Sequence, residues 1–251
     1  MVRDSINNCW SDNHSMKTYI VIPAYNEEKT IGRVIDDLKK HHYENIIVVD
    51  DCSTDNTVKI ALEKKVTVLE HFINRGQGAA LVTGNEYALR DGDIFAVKHG
   101  AKIVIHFDAD GQMMVEDILA MMKPIISGEA DITLGSRFLG KTINMPLSKR
   151  IILQLGKIWL RMFFGVKLTD PQCGFRALSR QAVEKLEIKQ DRAEHASEIL
   201  IEIFKKKLKY KEIPVTIRYT GYSQQHTQHG KFHLFSGIKI AVKTIIKRLM
   251  H

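Results

Sequence analysis

Tyr19-Ile-Val-Ile22 runs into Pro23-Ala-Tyr-Asn-Glu-Glu28, and Asn45-Ile-Ile-Val-Val49 runs into Asp50-Asp51-Cys-Ser-Thr54. Each is a short apolar, β-branched segment that stops at polar turn residues, as a strand buried on both faces does. Proline has no N–H for an interior ladder position, so the first strand is expected to end at Pro23 and open into a loop. Between the two runs Ile31, Val34, Ile35 and Leu38 recur at helical spacing, behind Thr30 or Asn26 as a cap. Asp55-Asn-Thr57 then begins a second helix through Ala61 and Leu62. Strand, helix, strand, helix within about fifty residues predicts an α/β fold whose mostly parallel sheet is built from right-handed crossovers and flanked by helices.

Ligands of such sheets bind beyond the carboxyl ends of the strands. At that edge Ile103-Val-Ile-His-Phe-Asp108-Ala-Asp110-Gly-Gln112 ends a third strand in two carboxylates spaced i, i+2. Side chains alternate along extended backbone, so Asp108 and Asp110 leave on the same side and invite a divalent cation. Magnesium or manganese held by one or two carboxylates keeps the rest of its shell for water and phosphates, which suits a nucleoside diphosphate. Taken alone the tripeptide more often just ends a strand at a solvated turn. Its coincidence with Asn26 and Glu27 and with Asp50 and Asp51 at the same edge favours a site. After a further strand, Val66–Leu69, comes Asn74-Arg-Gly-Gln-Gly-Ala-Ala80, where small residues would let backbone amides approach a phosphate or sugar at a helix start. A plain glycine turn explains that segment equally well.

The composition bounds these readings. A chain of 251 residues, 44% hydrophobic and 26% charged, is long enough for one sizeable domain. Its 37 basic against 29 acidic residues give a formal charge of +8, which calls for an anionic partner: nucleotide phosphates, an anionic membrane surface or nucleic acid. Cys9, Cys52 and Cys173 are an odd number without zinc spacing, so neither a disulfide framework nor a structural metal is supported and a reducing cytoplasm fits. Residues 1–15 are polar and lack an apolar core, so they are read as a disordered leader rather than a signal peptide. The most apolar window, Ile151 to Val166, is broken by Gln154, Lys157 and Arg161 and does not reach the ~20 apolar residues of a spanning helix.

Five segments appear in a telling order: Ile-Pro-Ala-Tyr-Asn-Glu-Glu, Val-Asp-Asp-x-Ser-x-Asp-x-Thr, Asn-Arg-Gly-Gln-Gly, Phe-Asp-Ala-Asp-Gly-Gln, and Asp170-Pro-Gln-Cys-Gly-Phe-Arg-Ala-Leu-Ser-Arg180. Over residues 17–225 the chain resembles the family-2 glycosyltransferases of GT-A fold, in the branch of polyprenyl-phosphate (dolichyl-phosphate) sugar synthases. The resemblance implies a single GT-A, Rossmann-like domain over 16–225, with a nucleotide-binding half (16–112) and an acceptor half (113–225). It places Pro23, Tyr25, Glu27 and Asp51 on the base and ribose, with Asp50, Arg75, Gly76, Gly78 and Ala109 in the nucleotide site. Asp108 and Asp110 would hold Mg2+ or Mn2+ with Gln112 beside them. Arg137, in Gly135-Ser-Arg137-Phe, would face the acceptor phosphate. Met113 stands where relatives often carry a histidine, and Arg90–Gly100 looks like an insertion.

In the second half Val115–Met122 reads as a helix and Asp131–Leu134 as a strand. Lys149, Arg150, Lys157 and Arg161 punctuate an apolar helix with Trp159, Phe163 and Phe164. A core helix with a solvated basic face is the general expectation; beside a nucleotide-sugar site, contact with lipid and its head groups explains it better. The turn-like Asp170–Arg176, followed by a helix from Gln181 to Leu186, makes Asp170, Gln172 and Arg176 candidates for the acceptor phosphate together with Arg137 and Arg150. Glu198, Glu202 and Lys206 fall on one helical face, where ion pairing is the simple account; the position in relatives adds Glu198 as a catalytic candidate beside Asp110 and Arg137. Lys205–Lys211 reads as a solvated helix end before a strand at Glu212–Ile217. His226, His229 and His233 lie in a loop that forms a lid in relatives, making His229 a metal contact and Lys231 a phosphate contact. From Phe232 to Met250 a basic amphipathic helix, part of a terminal segment 226–251, would dock on the core or on an anionic membrane.

A lipid phosphate is largely dianionic at neutral pH and attacks an anomeric carbon without a protein base. The expectation is therefore a metal-dependent, inverting transferase on the cytoplasmic membrane face, moving a sugar from a nucleotide-sugar, UDP-linked by preference, to a polyprenyl phosphate, with no nucleic-acid partner. Two alternatives stand. A glycan or protein acceptor would need a base from Glu198 or Asp170, and a nonenzymatic nucleotide-binding module would need none of this chemistry.

Overall fold

A computed structural model describes residues 17–90, 100–164, 167–192 and 194–220. The leader, most of the Arg90–Gly100 stretch, His226, His229, Lys231, His233 and the terminal amphipathic segment lie outside the described residues, as do the side chains of Trp159, Phe163 and Phe164.

The chain alternates as its apolar periods require. Strand β1 (Thr18–Ala24) leads to α1 (Ile31–Lys40), β2 (Ile46–Asp50) to α2 (Thr57–Glu63), and β3 (Thr67–Glu70) to α3 (Gln77–Arg90), after which comes β4 (Ile103–His106). A 3-10 turn at Val115–Asp117 opens α4 (Ile118–Ile126), followed by β5 (Ile132–Ile143) and the long helix α5 (Leu147–Phe164). Then come β6 (Arg176–Ser179), α6 (Arg180–Lys185), α7 (His195–Lys205) and β7 (Tyr210–Arg218). The seven strands form one sheet in the order β3-β2-β1-β4-β6-β5-β7, parallel throughout except for β6, which runs antiparallel to β4 and β5. Both faces are covered. Ile20, Ile22, Val48, Ile103 and Ile105 pack against α1 and α4, while Tyr19, Val21, Ile47, Val49 and Val104 pack with residues of α3 and α7.

Two expectations are corrected. Strand β1 does not stop at Pro23, which pairs in register with Val49. The ladder with β4 ends at Val21, so beyond that point β1 is bonded on one side only and proline's missing N–H leaves no gap. The segment after Asp170 does not pass from turn to helix, because four residues, Arg176–Ser179, slot as β6 between β4 and β5.

Neighbouring β2, β1 and β4 bring three loops to one sheet edge: Pro23–Glu27, Asp50–Thr54 and Asp108–Gln112. The insertion of β6 next to β4 adds the Asp170–Phe175 loop to them.

Candidate active site

The first two loops are sewn together. The Asn26 N–H donates to Ser53 Oγ (2.9 Å), Glu27 N–H to Thr57 Oγ1 (2.8 Å) and Glu28 N–H to Asp55 Oδ2 (3.1 Å). In return Asn26 Oδ1 accepts from Thr54 N–H (2.8 Å), and Glu28 Oε2 from the backbone and side chain of Asn56 (3.1 and 2.9 Å). Asn26 and Cys52 both sit at positive φ, 55° and 67°. Much of the two motifs therefore specifies backbone shape. Pro23 is buried beneath, and Tyr25 is 46% exposed, a free aromatic face at the rim.

Asp50 and Asp51 point inward, 2% and 3% exposed. Asp50 Oδ2 accepts from Ser53 N–H (2.8 Å). Asp51 Oδ1 meets His71 Nδ1 (2.8 Å) and Arg75 N–H (2.9 Å), and its Oδ2 accepts from Gly76 N–H (2.6 Å). Asp51 thus holds the loop that enters α3. The glycine segment, read equally as a phosphate approach or a plain turn, makes close contacts with the chain's own backbone. Gly78 and Ala79 N–H donate to the Asp191 carbonyl (2.7 and 3.3 Å), so the helix start is occupied by the protein's own backbone rather than open to a phosphate. A Cβ on Gly78 would lie 2.1 Å from the Gln190 carbonyl, and one on Gly76 would lie 2.5 Å from that of Asp191. Both glycines serve this close approach, while Arg75 lies exposed with an ion pair to Asp191 at 3.4 Å.

At the end of β4, Phe107 stacks edge-on against Phe175 at 5.5 Å and fixes the Asp108 loop over the Cys173–Phe175 turn. Asp108 Oδ1 accepts from the Gln77 side chain (2.9 Å), and its carboxylate fills the space beside Gly174, where a Cβ would come within 2.9 Å of Oδ2. Met113, in the place of a histidine, offers its thioether to the Asp108 N–H at 3.4 Å. Asp110 is bound by both the backbone and the side-chain amide of Gln112, across Gly111 at φ 71°, and Ala109 between the two carboxylates is buried. Gln77 was missed in the sequence because its one signal, the first position of a helix, says nothing about which loop faces it.

Burial raises the Asp108 carboxyl to about 7, the Asp110 charge adds to this, and Arg176 and Arg137 pull the other way; burial raises Asp110 too. Two half-buried carboxylates at one loop, each favouring its protonated form, fit a divalent cation, which would take the place of the proton. Among the described residues no group of three or more His, Cys, Asp or Glu converges, so such a cation would draw the rest of its shell from water and a diphosphate. Because a ligand must shed its proton to bind metal, Mn2+ affinity should rise roughly tenfold per pH unit below Asp108's value of about 7 and level off above it. Manganese titrations across that range, with UDP present, would read this directly; a flat profile would disprove it.

Across the site, Arg137 on β5 is 8% exposed. Its backbone N–H and Nε donate to Asp170 Oδ2 (3.0 and 2.6 Å), and its Nη1 donates to the Tyr219 hydroxyl (2.8 Å). Burial works against the Arg137 charge, but Asp170 outweighs it and keeps the guanidinium firmly protonated. Asp170 is in this way the counter-ion of Arg137 rather than itself a group for phosphate, and the Glu212 carboxylate steadies the backbone N–H of Thr169 and Asp170. Arg176 is 1% exposed, in register with His106 and below Asp108. It is an internal cation, not an acceptor contact, and its field together with burial keeps His195 down to about 4.

The cation on α5 that faces the site is Lys149, not the exposed Arg150. Lys149 Nζ lies over the Tyr219 ring at 5.3 Å; burial and Arg137 lower its pKa while Asp110 raises it. Gln172 is exposed and lies against Gly156 of α5. Glu198 does not reach this cluster, because its Oε2 accepts from the Lys189 and Gln190 N–H groups (2.9 and 2.8 Å). The expected ion-paired face on α7 forms with Glu202, which contacts Lys205 and Lys206.

The model of the glycosyl transferase family 2 domain matches residues 19–187, from β1 through α6 and across all four loops of the site. The chain belongs to glycosyl transferase family 2. It is a glycosyltransferase of GT-A fold. Within the family it is 40% identical over 239 residues to an uncharacterised protein of Methanocaldococcus jannaschii, with 92% of each chain covered. It is 38% identical over 227 residues to the UDP-N-acetylglucosamine–dolichyl-phosphate N-acetylglucosaminyltransferase of Methanococcus voltae, covering 82% of this chain and 87% of that one. Among solved structures of similar fold, glucosyl-3-phosphoglycerate synthase of Mycobacterium tuberculosis, in complex with Mn2+, UDP and phosphoglyceric acid, superposes with a TM-score of 0.64 at 18% identity, over 88% of this chain and 77% of that one.

Proposed function

We propose that this family-2 enzyme transfers a hexose or N-acetylhexosamine from a UDP-sugar to a polyprenyl or dolichyl phosphate, with inversion, at the cytoplasmic face of a membrane. The observation that carries the reading is the state of Asp170 and Glu198. A glycan or protein acceptor needs one of them as base, yet Asp170 neutralises Arg137 and Glu198 binds two backbone amides. A phosphate acceptor needs no base, and it finds cations at Arg137 and Lys149 opposite Asp110. The Methanococcus voltae relative, named for a UDP-sugar donor and a dolichyl-phosphate acceptor, supports both substrate classes.

Residues 16–112 serve the donor: Tyr25 stacks on the base, and Glu27, in a loop shaped by Asp50 and Asp51, meets the ribose. Asp108 and Asp110, with Gln112, would hold Mg2+ or Mn2+, which when bound offsets charge gathering on the leaving diphosphate. The solved neighbour that contains Mn2+ with UDP is consistent with this use of the fold. Residues 113–225 serve the acceptor, whose phosphate Arg137 and Lys149 hold in line with the anomeric carbon.

No helix among the described residues is long and apolar enough to cross a membrane. Helix α5 instead exposes Leu147, Ile151, Leu155 and Met162 (72%, 52%, 55% and 73%), flanked by the cations Arg150, Lys157 and Arg161. An apolar stripe edged by basic residues suits a lipid surface with anionic head groups.

The test is transfer of radiolabel from UDP-N-acetylglucosamine, UDP-glucose or GDP-mannose to a short polyprenyl phosphate, extracted into organic solvent. Label in the organic phase establishes the acceptor and names the sugar. Metal-dependent donor hydrolysis without lipid labelling would overturn the acceptor and send the search to glycans or proteins. In that assay Lys149→Ala should raise KM for the polyprenyl phosphate about 10- to 100-fold, the worth of one charge-assisted hydrogen bond. Arg150→Ala should change it less than about threefold, as exposed single charges do; equal effects would put the phosphate elsewhere.

A further inference from the structure

The segment that joins α6 to α7 crosses the start of α3, and three contacts link it to the D-x-D loop. Glu198, in the first turn of α7, accepts both Lys189 and Gln190 N–H on one carboxylate oxygen. The segment so held presents the Asp191 carbonyl to Gly78 and Ala79 N–H, capping α3 from outside the helix. Gln77, the first residue of α3, then donates its side-chain amide to Asp108 Oδ1 at 2.9 Å. A helix end keeps its first turn only while its free N–H groups have acceptors, and here the acceptor is the carbonyl of the residue next to Gln190, whose N–H Glu198 holds.

We propose that Glu198 is a positioning residue for the metal site. It fixes the 189–191 strap, the strap holds the first turn of α3, and that turn aims Gln77 at Asp108. The proposal rests on the reading that Asp108 binds the metal. It replaces the role of general base for Glu198, whose Oε2 is the acceptor for two strap amides.

The experiment compares Glu198→Ala, Glu198→Gln, Gln77→Ala and the Glu198→Ala/Gln77→Ala double variant in the full chain. It reads amide hydrogen exchange at Gly78 and Ala79, Mn2+ affinity with UDP and no acceptor, and thermal unfolding. Glu198→Ala should speed exchange at both amides by about tenfold or more, as local opening of a capped turn does. It should also weaken Mn2+ about tenfold, the usual scale for removing a group that orients a metal ligand. Glu198→Gln keeps an acceptor oxygen and should stay within about threefold of the parent on both readouts. Gln77→Ala should weaken Mn2+ as much while leaving exchange at Gly78 unchanged, and the double variant should be no worse than the weaker single one, because the two residues act along one chain of contacts.

Unchanged exchange in Glu198→Ala, or additive losses of Mn2+ affinity, would overturn the proposal. So would a Glu198→Gln variant that loses kcat with exchange and Mn2+ affinity intact, the behaviour of a base. Should the parent protein bind no Mn2+ even with UDP, the metal reading of the site fails, while exchange at Gly78 still decides whether Glu198 holds the strap.

Discussion

Asp110→Asn should lower kcat/KM for sugar transfer by about a thousandfold or more, the loss expected when ~4 kcal/mol of charge stabilisation on a leaving diphosphate disappears. The substitution keeps the side chain's size and one acceptor for the Gln112 amides, so the loop has no steric reason to move. What changes is charge: one of two carboxylates able to balance a divalent cation becomes neutral. Stability should move the other way. Burial raises the Asp110 pKa in the folded state, so the stability this group contributes is present below its unfolded value and is lost as pH rises through the folded one. Above the folded value the ionised carboxylate is a burden, and there the metal-free asparagine variant should melt at or above the parent temperature. The rise in Tm that Mn2+ with UDP gives the parent should vanish in the variant, since a ligand stabilises only the form it binds. Transfer within tenfold of the parent, with that Tm rise intact, would remove Asp110 from the site.

The two outcomes for Asp110 can be separated because its position was legible from local pattern alone: a β-branched run, a turn, and two carboxylates with period 2. The same holds for the three loops gathered by β2, β1 and β4, since alternating strands and helices dictate that order. Other residues were legible as to neighbourhood but not direction. Lys149 and Arg150 are adjacent in sequence, yet on a helix one step turns a side chain by about 100°, and only packing of α5 over Tyr219 decides which of them faces Asp110. The glycines of Asn74–Ala80 announce a close backbone approach without saying by what; the answer, the 190–191 carbonyls, comes from the far end of the chain. Strand β6 has four residues and no alternation of its own, and its pairing with β4 and β5 is set by partners distant in sequence. Its insertion also buries Arg176, which its motif alone had suggested for an acceptor.

Asp170→Ala should destabilise the fold by about 3 to 5 kcal/mol, the cost of removing one partner of a buried ion pair. Arg137 is 8% and Asp170 4% exposed, and once the carboxylate in contact at 2.6 Å is gone, the guanidinium keeps, among the described residues, the Tyr219 hydroxyl as its hydrogen-bond acceptor. At roughly 2 to 4 °C per kcal/mol for a domain of this size, Tm should fall by about 6 to 20 °C. Transfer should be lost with it, but that loss by itself would not tell structure from chemistry. Arg137→Met combined with Asp170→Asn separates them. Removing both charges takes away the desolvation burden, and the asparagine oxygen can still accept the Arg137 backbone N–H that Asp170 satisfies. The pair should recover at least about half of the lost stability, yet transfer should stay at the level of the unpaired variant, because Lys149 is left without Arg137 to hold the acceptor phosphate. Recovery of transfer in the paired variant would show that the Arg137–Asp170 contact serves the fold alone, and would leave Lys149 as the cation opposite Asp110.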